Sequence, residues 1–118
     1  ILVRRDTNEK NEVKIEELES EIGEILEKIQ QNMYEVCKKR MKSKTTIAHD
    51  LNEFQENINK EQGFIKAMWC GSAECEEKIK ELTSAKSRCM PFEQEHIGDK
   101  CVCCGKPAEK MVIWGRQY

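Results

Sequence analysis

The chain has 118 residues, 36% of them charged and 38% hydrophobic, with a formal net charge of -2 and a pI near 5.8. That length allows one main core with an attachment, and the charge balance supplies no general positive field to gather nucleic acid or an anionic membrane. No run approaches the roughly 18 apolar residues of a membrane span, and the opening ILVRRDTNEK lacks the plan of a signal peptide, so a cytoplasmic protein with no membrane partner is expected.

The start itself, without an initiator Met and with strand-like apolar residues, reads as a segment of a longer protein. From Ile15 to Met41, Ile15, Leu18, Ile22, Ile25, Ile29, Met33, Cys37 and Met41 recur in steps of three and four, which predicts a long amphipathic helix. Packing is the plain reading of its stripe; a coiled coil is the alternative, weakened by Asn32 and by later steps that drift from a 3.5-residue repeat. Lys38, Lys39, Arg40, Lys42 and Lys44 crowd the end of this helix. There they complement the negative end of the helix dipole; as a phosphate contact they would touch an RNA backbone without reading its sequence, since no aromatics are interleaved.

Short alternating units follow. TTIAH predicts a strand and DLNEFQENINK a helix, with Asp50 as N-cap, Glu53 completing a capping box, and Phe54 and Ile58 on one face. GFIKAMW predicts a strand, and SAECEEKIKELTS a helix capped by Ser72 with Cys75, Ile79 and Leu82 along its stripe. SRCMPF predicts a strand ended by Pro91, and EKMVIWGRQY the last strand. The order β-α-β-α-β-β predicts an α+β two-layer sandwich. A core this small supplies only ~3–5 kcal/mol, so a metal staple is physically expected.

Seven cysteines in a reducing compartment point to metal or redox chemistry rather than to a disulfide framework. Cys70 and Cys75 span a strand end and a helix start, while Cys101 and Cys104 form a C-x2-C turn followed by Gly105. Two separated thiolate pairs suit a tetrahedral Zn2+ ion tying distant segments together. Cys103 offers a competing C-x-C pairing, but C-x2-C is the commoner structural zinc spacing and favours Cys104. The helix start is expected to favour the Cys75 thiolate. Cys37 and Cys89 are expected as small core residues. A redox dithiol at Cys101 and Cys104 is the rival, disfavoured because the pair precedes a strand instead of opening a helix. His49 and His96 are isolated, with no nucleophile or phosphate loop in context, so no catalytic residue is expected within the chain.

These motifs resemble the C-terminal region of prolyl-tRNA synthetases of the archaeal and eukaryotic-like type. VRRDTNEK at residues 3–10, WCGSAECEEKIKE at 69–81, RCMPF at 88–92, KCVCCGKPAEK at 100–110 and the terminal WGRQY fall in the family's order. The resemblance implies residues 1–14 as the last strand of an anticodon-binding domain, 15–43 as a connecting helix and 44–118 as a zinc-binding domain. That domain is similar in fold to the C-terminal domain of bacterial translation initiation factor three, a mixed four-stranded sheet with two helices. It further implies a structural Zn2+ on Cys70, Cys75, Cys101 and Cys104, and a Tyr118 carboxylate directed at the active site of the catalytic domain. The implied parent is a homodimeric class II ligase that binds ATP and Mg2+ outside this chain and joins proline to tRNA(Pro) through prolyl-adenylate. The resemblance departs at Cys103, a position commonly occupied by other residues in relatives. The alternative without a parent is a stand-alone zinc-dependent RNA-binding module.

Overall fold

The computed structural model describes every residue except Glu61 and Tyr118, so the role expected of Tyr118 lies outside the described residues. The chain forms two compact units, Ile1–Arg40 and Met41–Tyr118.

In the first unit, β1 (Leu2–Val3) and β2 (Lys10–Asn11) form an antiparallel hairpin, where a single strand was expected over residues 1–14. Charge and turn chemistry reverse the chain there. Asn8 takes the left-handed conformation at φ 61°, which its short side chain tolerates, and its N–H donates to the Arg4 carbonyl at 2.9 Å. Arg4 grips Asp6 through two hydrogen bonds of 3.1 and 2.7 Å, and Asn32 donates to the same carboxylate at 2.7 Å, fixing the hairpin to the helix. That helix opens with a 3-10 turn at Ile15–Glu17 and continues as α1 (Leu18–Ser43).

The predicted stripe of α1 is only partly buried. Ile25 is buried and Ile29 half-buried, while Ile22, Met33 and Met41 are exposed. Cys37 is exposed too, which corrects its assignment to a core: the periodicity is present, but that end of the stripe is exposed.

The second unit is a mixed sheet in the order β3-β4-β6-β5, built from β3 (Thr45–Ile47), β4 (Phe64–Trp69), β5 (Ala85–Cys89) and β6 (Lys110–Arg116). α2 (Leu51–Lys60) carries the parallel crossover from β3 to β4, and β6 pairs antiparallel with both β4 and β5. With α3 (Ala73–Thr83) this is the expected α+β sandwich. Phe54, Ile58 and Ile79 from the helices meet Ile65, Ala67, Val112 and Trp114 from the sheet. Phe54 and Trp114 pack edge to face, with ring centroids 6.1 Å apart.

Local chemistry sets the element ends. Asp50 accepts from the Glu53 N–H at 2.9 Å, as an N-cap should, whereas the Glu53 carboxylate reaches past the cap to the His49 N–H at 2.8 Å. Ser72 stands at the N-cap of α3 without a side-chain capping bond; its carbonyl accepts from Trp69 Nε1 at 3.1 Å instead. α3 stops at Ser84, which is left-handed at φ 59°. This end places Thr83 inside and leaves Leu82 exposed, reversing the expectation for Leu82. Thr83 Oγ1 donates to the Ile79 carbonyl and accepts from the Ala85 N–H, so its polar atom is satisfied in the core. β5 begins earlier than SRCMPF suggested and carries an irregularity between Ser87 and Cys89, and Cys89 is exposed rather than in the core. A side chain at Gly63 would overlap the Lys44 carbonyl oxygen, which accepts from the Phe64 N–H at 2.9 Å where the β3–β4 ladder starts.

Candidate metal centre

Cys70 follows the last residue of β4, and Gly71 at φ 87° turns the chain at once into α3, whose first turn carries Cys75. Only a residue free of Cβ crowding takes that φ without strain, so Gly71 sets the separation of the first cysteine pair. The second pair sits on a short turn. Cys101 N–H donates to the Lys106 carbonyl at 2.7 Å, Gly105 N–H donates to the Cys101 carbonyl at 2.9 Å, and Gly105 is left-handed at φ 71°. Val102 N–H donates to the Met68 carbonyl at 2.9 Å, which moors the turn to β4 beside the first pair.

These constraints bring four sulfurs together. The Sγ atoms of Cys70, Cys75, Cys101 and Cys104 all lie within 4.8 Å of one another. Cys70 and Cys75 are 3.7 Å apart, and Cys104 and Cys70 3.8 Å. A tetrahedron with zinc–sulfur bonds of about 2.3 Å has sulfur–sulfur edges of about 3.8 Å, so the donor set fits such an ion in chemistry and in spacing. All seven cysteines are free thiols.

Cys75 and Cys101 are buried, Cys70 is half-buried and Cys104 is exposed. Burial pushes the Cys75 thiol well above its ordinary value, and the neighbouring sulfurs of Cys104 and Cys70 add to the rise. That overturns the expectation that the helix start would favour the Cys75 thiolate in the metal-free chain. Burial also raises Cys70. Cys104 goes the other way, to about 7, chiefly because the Lys106 backbone N–H donates to its sulfur. At Cys70 and Cys75 the surroundings favour the protonated thiol, so a divalent cation bound there must replace those protons.

Cys103 is half-buried and packs against both apolar clusters of the unit; it is not part of the four-sulfur group. The backbone direction through the turn, which spacing alone does not give, decides between it and Cys104. His96 pairs with Asp99 at 3.0 Å on the surface. Lys38 lies over the Tyr34 ring at 5.5 Å. Among the described residues no helix is long and apolar enough to cross a membrane.

The fold and site define a small α+β domain with a four-cysteine cluster at one end of its sheet. A family model described as the C-terminal domain of prolyl-tRNA synthetase matches residues 51–118, and the chain belongs to that family. It is 52% identical over 118 residues to the proline–tRNA ligases of Lachnoclostridium phytofermentans and of Clostridium botulinum (strain ATCC 19397 / Type A), matching 100% of this chain and 25% of each relative. It is 51% identical to that of Oceanobacillus iheyensis, over 100% of this chain and 24% of the relative. The crystal structure of prolyl-tRNA synthetase from Cryptosporidium parvum complexed with L-proline and AMP superposes with a TM-score of 0.89 at 33% identity, covering 98% of this chain and 25% of that one. The chain thus spans about a quarter of the length of the curated relatives it matches.

Proposed function

We propose that this chain is the C-terminal part of a proline–tRNA ligase in which residues 44–118 form a non-catalytic domain braced by a structural zinc ion on Cys70, Cys75, Cys101 and Cys104. The observation that carries the metal reading is the gathering of four sulfurs within 4.8 Å of one another, with two of the pairs at 3.7 and 3.8 Å. The family match carries the parent's identity. When bound, zinc would supply no reaction chemistry here; it would join the β4–α3 corner to the turn that precedes β6. The chain's own contribution is to present four sulfurs from two hydrogen-bonded turns, with no coordination position left for a substrate.

In this reading the parent is a class II ligase of the archaeal and eukaryotic-like type that works in the cytoplasm as a homodimer. It uses ATP with Mg2+ to form prolyl-adenylate and passes the prolyl group to tRNA(Pro), with the catalytic residues outside this chain. Residues 1–14 close an anticodon-binding domain, and residues 15–43 connect it to the zinc domain.

The test is the metal content of protein purified without added metal, followed by circular dichroism before and after a strong chelator. About one zinc per chain, with loss of the folded signal on its removal, is the expected result. A stably folded chain that holds no metal overturns the four-cysteine assignment.

A further inference from the structure

The sulfur cage is walled unevenly. Cys101 and Cys75 are 2% and 7% exposed, Cys70 is half-buried, and of the four only Cys104 stands exposed to solvent. A reagent that reaches the cluster from water therefore meets the Cys104 sulfur first. The Cys70 sulfur lies 3.8 Å from it, on the opposite arm of the site and 34 residues earlier in the chain. Cys103 is a neighbour of Cys104 in sequence only, because its side chain packs among apolar residues outside the four-sulfur group. Adjacent residues also hold their Cα atoms about 3.8 Å apart, short of the roughly 4.4–6.8 Å usual across a disulfide.

Backbone bonds set how the two arms meet. Val102 N–H donates to the Met68 carbonyl at 2.9 Å, Ala108 N–H donates to the Asp99 carbonyl at 2.9 Å, and Lys100 bridges to Pro107 across the turn. They bring Cys104 against the end of β4, so its sulfur and that of Cys70 face each other when an oxidant arrives.

We propose that Cys104 and Cys70 form a reversible oxidation site for peroxides, at which a disulfide between the two arms takes over the joining role of the zinc ion. The inference rests on the four-cysteine metal reading above. First the Cys104 thiolate attacks a peroxide oxygen: the S–O bond forms, the O–O bond breaks, and the departing hydroxide takes a proton to become water. The Cys70 thiolate then attacks that sulfur; the S–S bond forms, the S–O bond breaks, and a second hydroxide leaves as water. Two thiolates, one hydrogen peroxide and two protons thus give one disulfide and two waters, the sulfurs losing two electrons and the peroxide gaining them. Two of the four ligands are withdrawn, so the ion is released. The disulfide spans the corner that the ion joined and restricts the unfolded chain, so the oxidised domain keeps its fold where a chelated one loses it. Thiol exchange reverses the step.

The experiment treats the full-length ligase with hydrogen peroxide and follows released zinc with a chromophoric chelator, cross-links by peptide mass spectrometry, and hydrogen exchange of peptides covering β6. A Cys70–Cys104 link should appear in step with about one released zinc per chain, and dithiothreitol should reverse it. In the linked form β6 should stay protected, whereas in the reduced ligase stripped by a chelator it should exchange at least about tenfold faster. Cys70→Ser should stop the link and let the sulfenic acid of Cys104 accumulate as its dimedone adduct; Cys103→Ser should leave the link unchanged. A link from Cys104 to Cys101 or Cys103 overturns the proposal. So does a ligase in which peroxide leaves Cys104 unmodified, or one whose β6 loses protection once the link has formed. A ligase purified without zinc sinks the metal reading alone, because the Cys70–Cys104 link is read by mass whether or not an ion was held.

Discussion

Gln94 closes on the backbone of Met111 from both sides: its Oε1 accepts from the Met111 N–H at 2.6 Å, and its Nε2 donates to the Met111 carbonyl at 3.3 Å. Nε2 also donates to the Pro91 carbonyl at 2.7 Å, so one amide side chain fastens an irregular segment to the central strand β6. Replacing Gln94 with Ala leaves a nearly buried donor unpaired. A loss of about 1–3 kcal/mol is expected, measured as a lowered urea midpoint at unchanged slope. An unaltered midpoint would mean that water replaces the amide without cost.

Cys103 and Cys104 are adjacent in sequence and different in role. Cys104→Ser should weaken zinc binding by more than the roughly 10–100-fold that follows loss of a supporting hydrogen bond at a metal site, because a sulfur of the cage itself is lost. Cys103→Ser should leave the metal content unchanged, its side chain packing among apolar neighbours. Competition with a chromophoric chelator separates the two, and the reverse ranking would move the fourth ligand to Cys103.

Proton competition sets the pH dependence of that affinity. In the metal-free chain Cys70 and Cys75 are raised and therefore protonated at neutral pH, so zinc must displace their protons at every pH in the working range. Cys104 sits at about 7 and adds its own proton only below that point. Affinity should fall as pH falls, by about tenfold per displaced proton per pH unit, with a steeper slope below about pH 7 than above it. Chelator competition across that range checks the change of slope; a flat profile would exclude the thiols as ligands.

The hairpin in the first unit carries an acid-sensitive contact. Hydrogen bonding to Arg4, and then to Asn32, holds Asp6 down at about 2, below its ordinary value of 3.8. A carboxylate depressed in the folded state stabilises it fully above the ordinary value and loses that contribution as pH falls through the folded value, so the window runs from about pH 4 to about pH 2. Hydrogen exchange of the α1 amides around Asn32 should accelerate in that window. Asp6→Asn should show fast exchange at every pH and no such transition.

The exposed apolar residues of α1, Ile22, Leu26, Met33 and Val36 among them, predict association of the isolated 118-residue chain. Sedimentation velocity should show a mass that rises with concentration, and Leu26→Glu should reduce it to the monomer. A monomer at every concentration would mean that the stripe is too dispersed to pair.

Much of the second unit was legible because its signals are local. Thr45–Ile47, Phe64–Trp69 and the run from Met111 to Trp114 are apolar or β-branched stretches that include Ile65, Val112 and Ile113 with the aromatics Phe64, Trp69 and Trp114, and both helices carry spaced apolar positions. The four cysteines were legible for the same reason: each pair is brought together within a single turn. What failed depends on partners far away in sequence. Cys37, Leu82 and Cys89 fit their stripes yet stand exposed, and a left-handed Ser84 moves burial by one residue onto Thr83. The hairpin at residues 1–14 hides behind Arg4, Asp6 and Asn8, whose charge pairing and left-handed turn leave no apolar pattern. The Cys75 thiol follows its burial, a property of the whole fold, rather than its place at a helix start.

The strand made last stands in the middle of the sheet. Synthesis delivers β3, β4 and β5 before β6, and in the order β3-β4-β6-β5 the strands β4 and β5 have no edge in common until β6 arrives between them. The second cysteine pair lies just ahead of that strand, so the ribosome finishes the cage and the sheet almost together. A message truncated before Lys110 therefore yields a domain with two unjoined sheet edges and exposed apolar side chains, a product that cellular proteases can tell from the complete one. Protease pulses on stalled nascent chains would show resistance only once β6 has left the exit tunnel, which makes the arrival of β6 the step that closes this sheet.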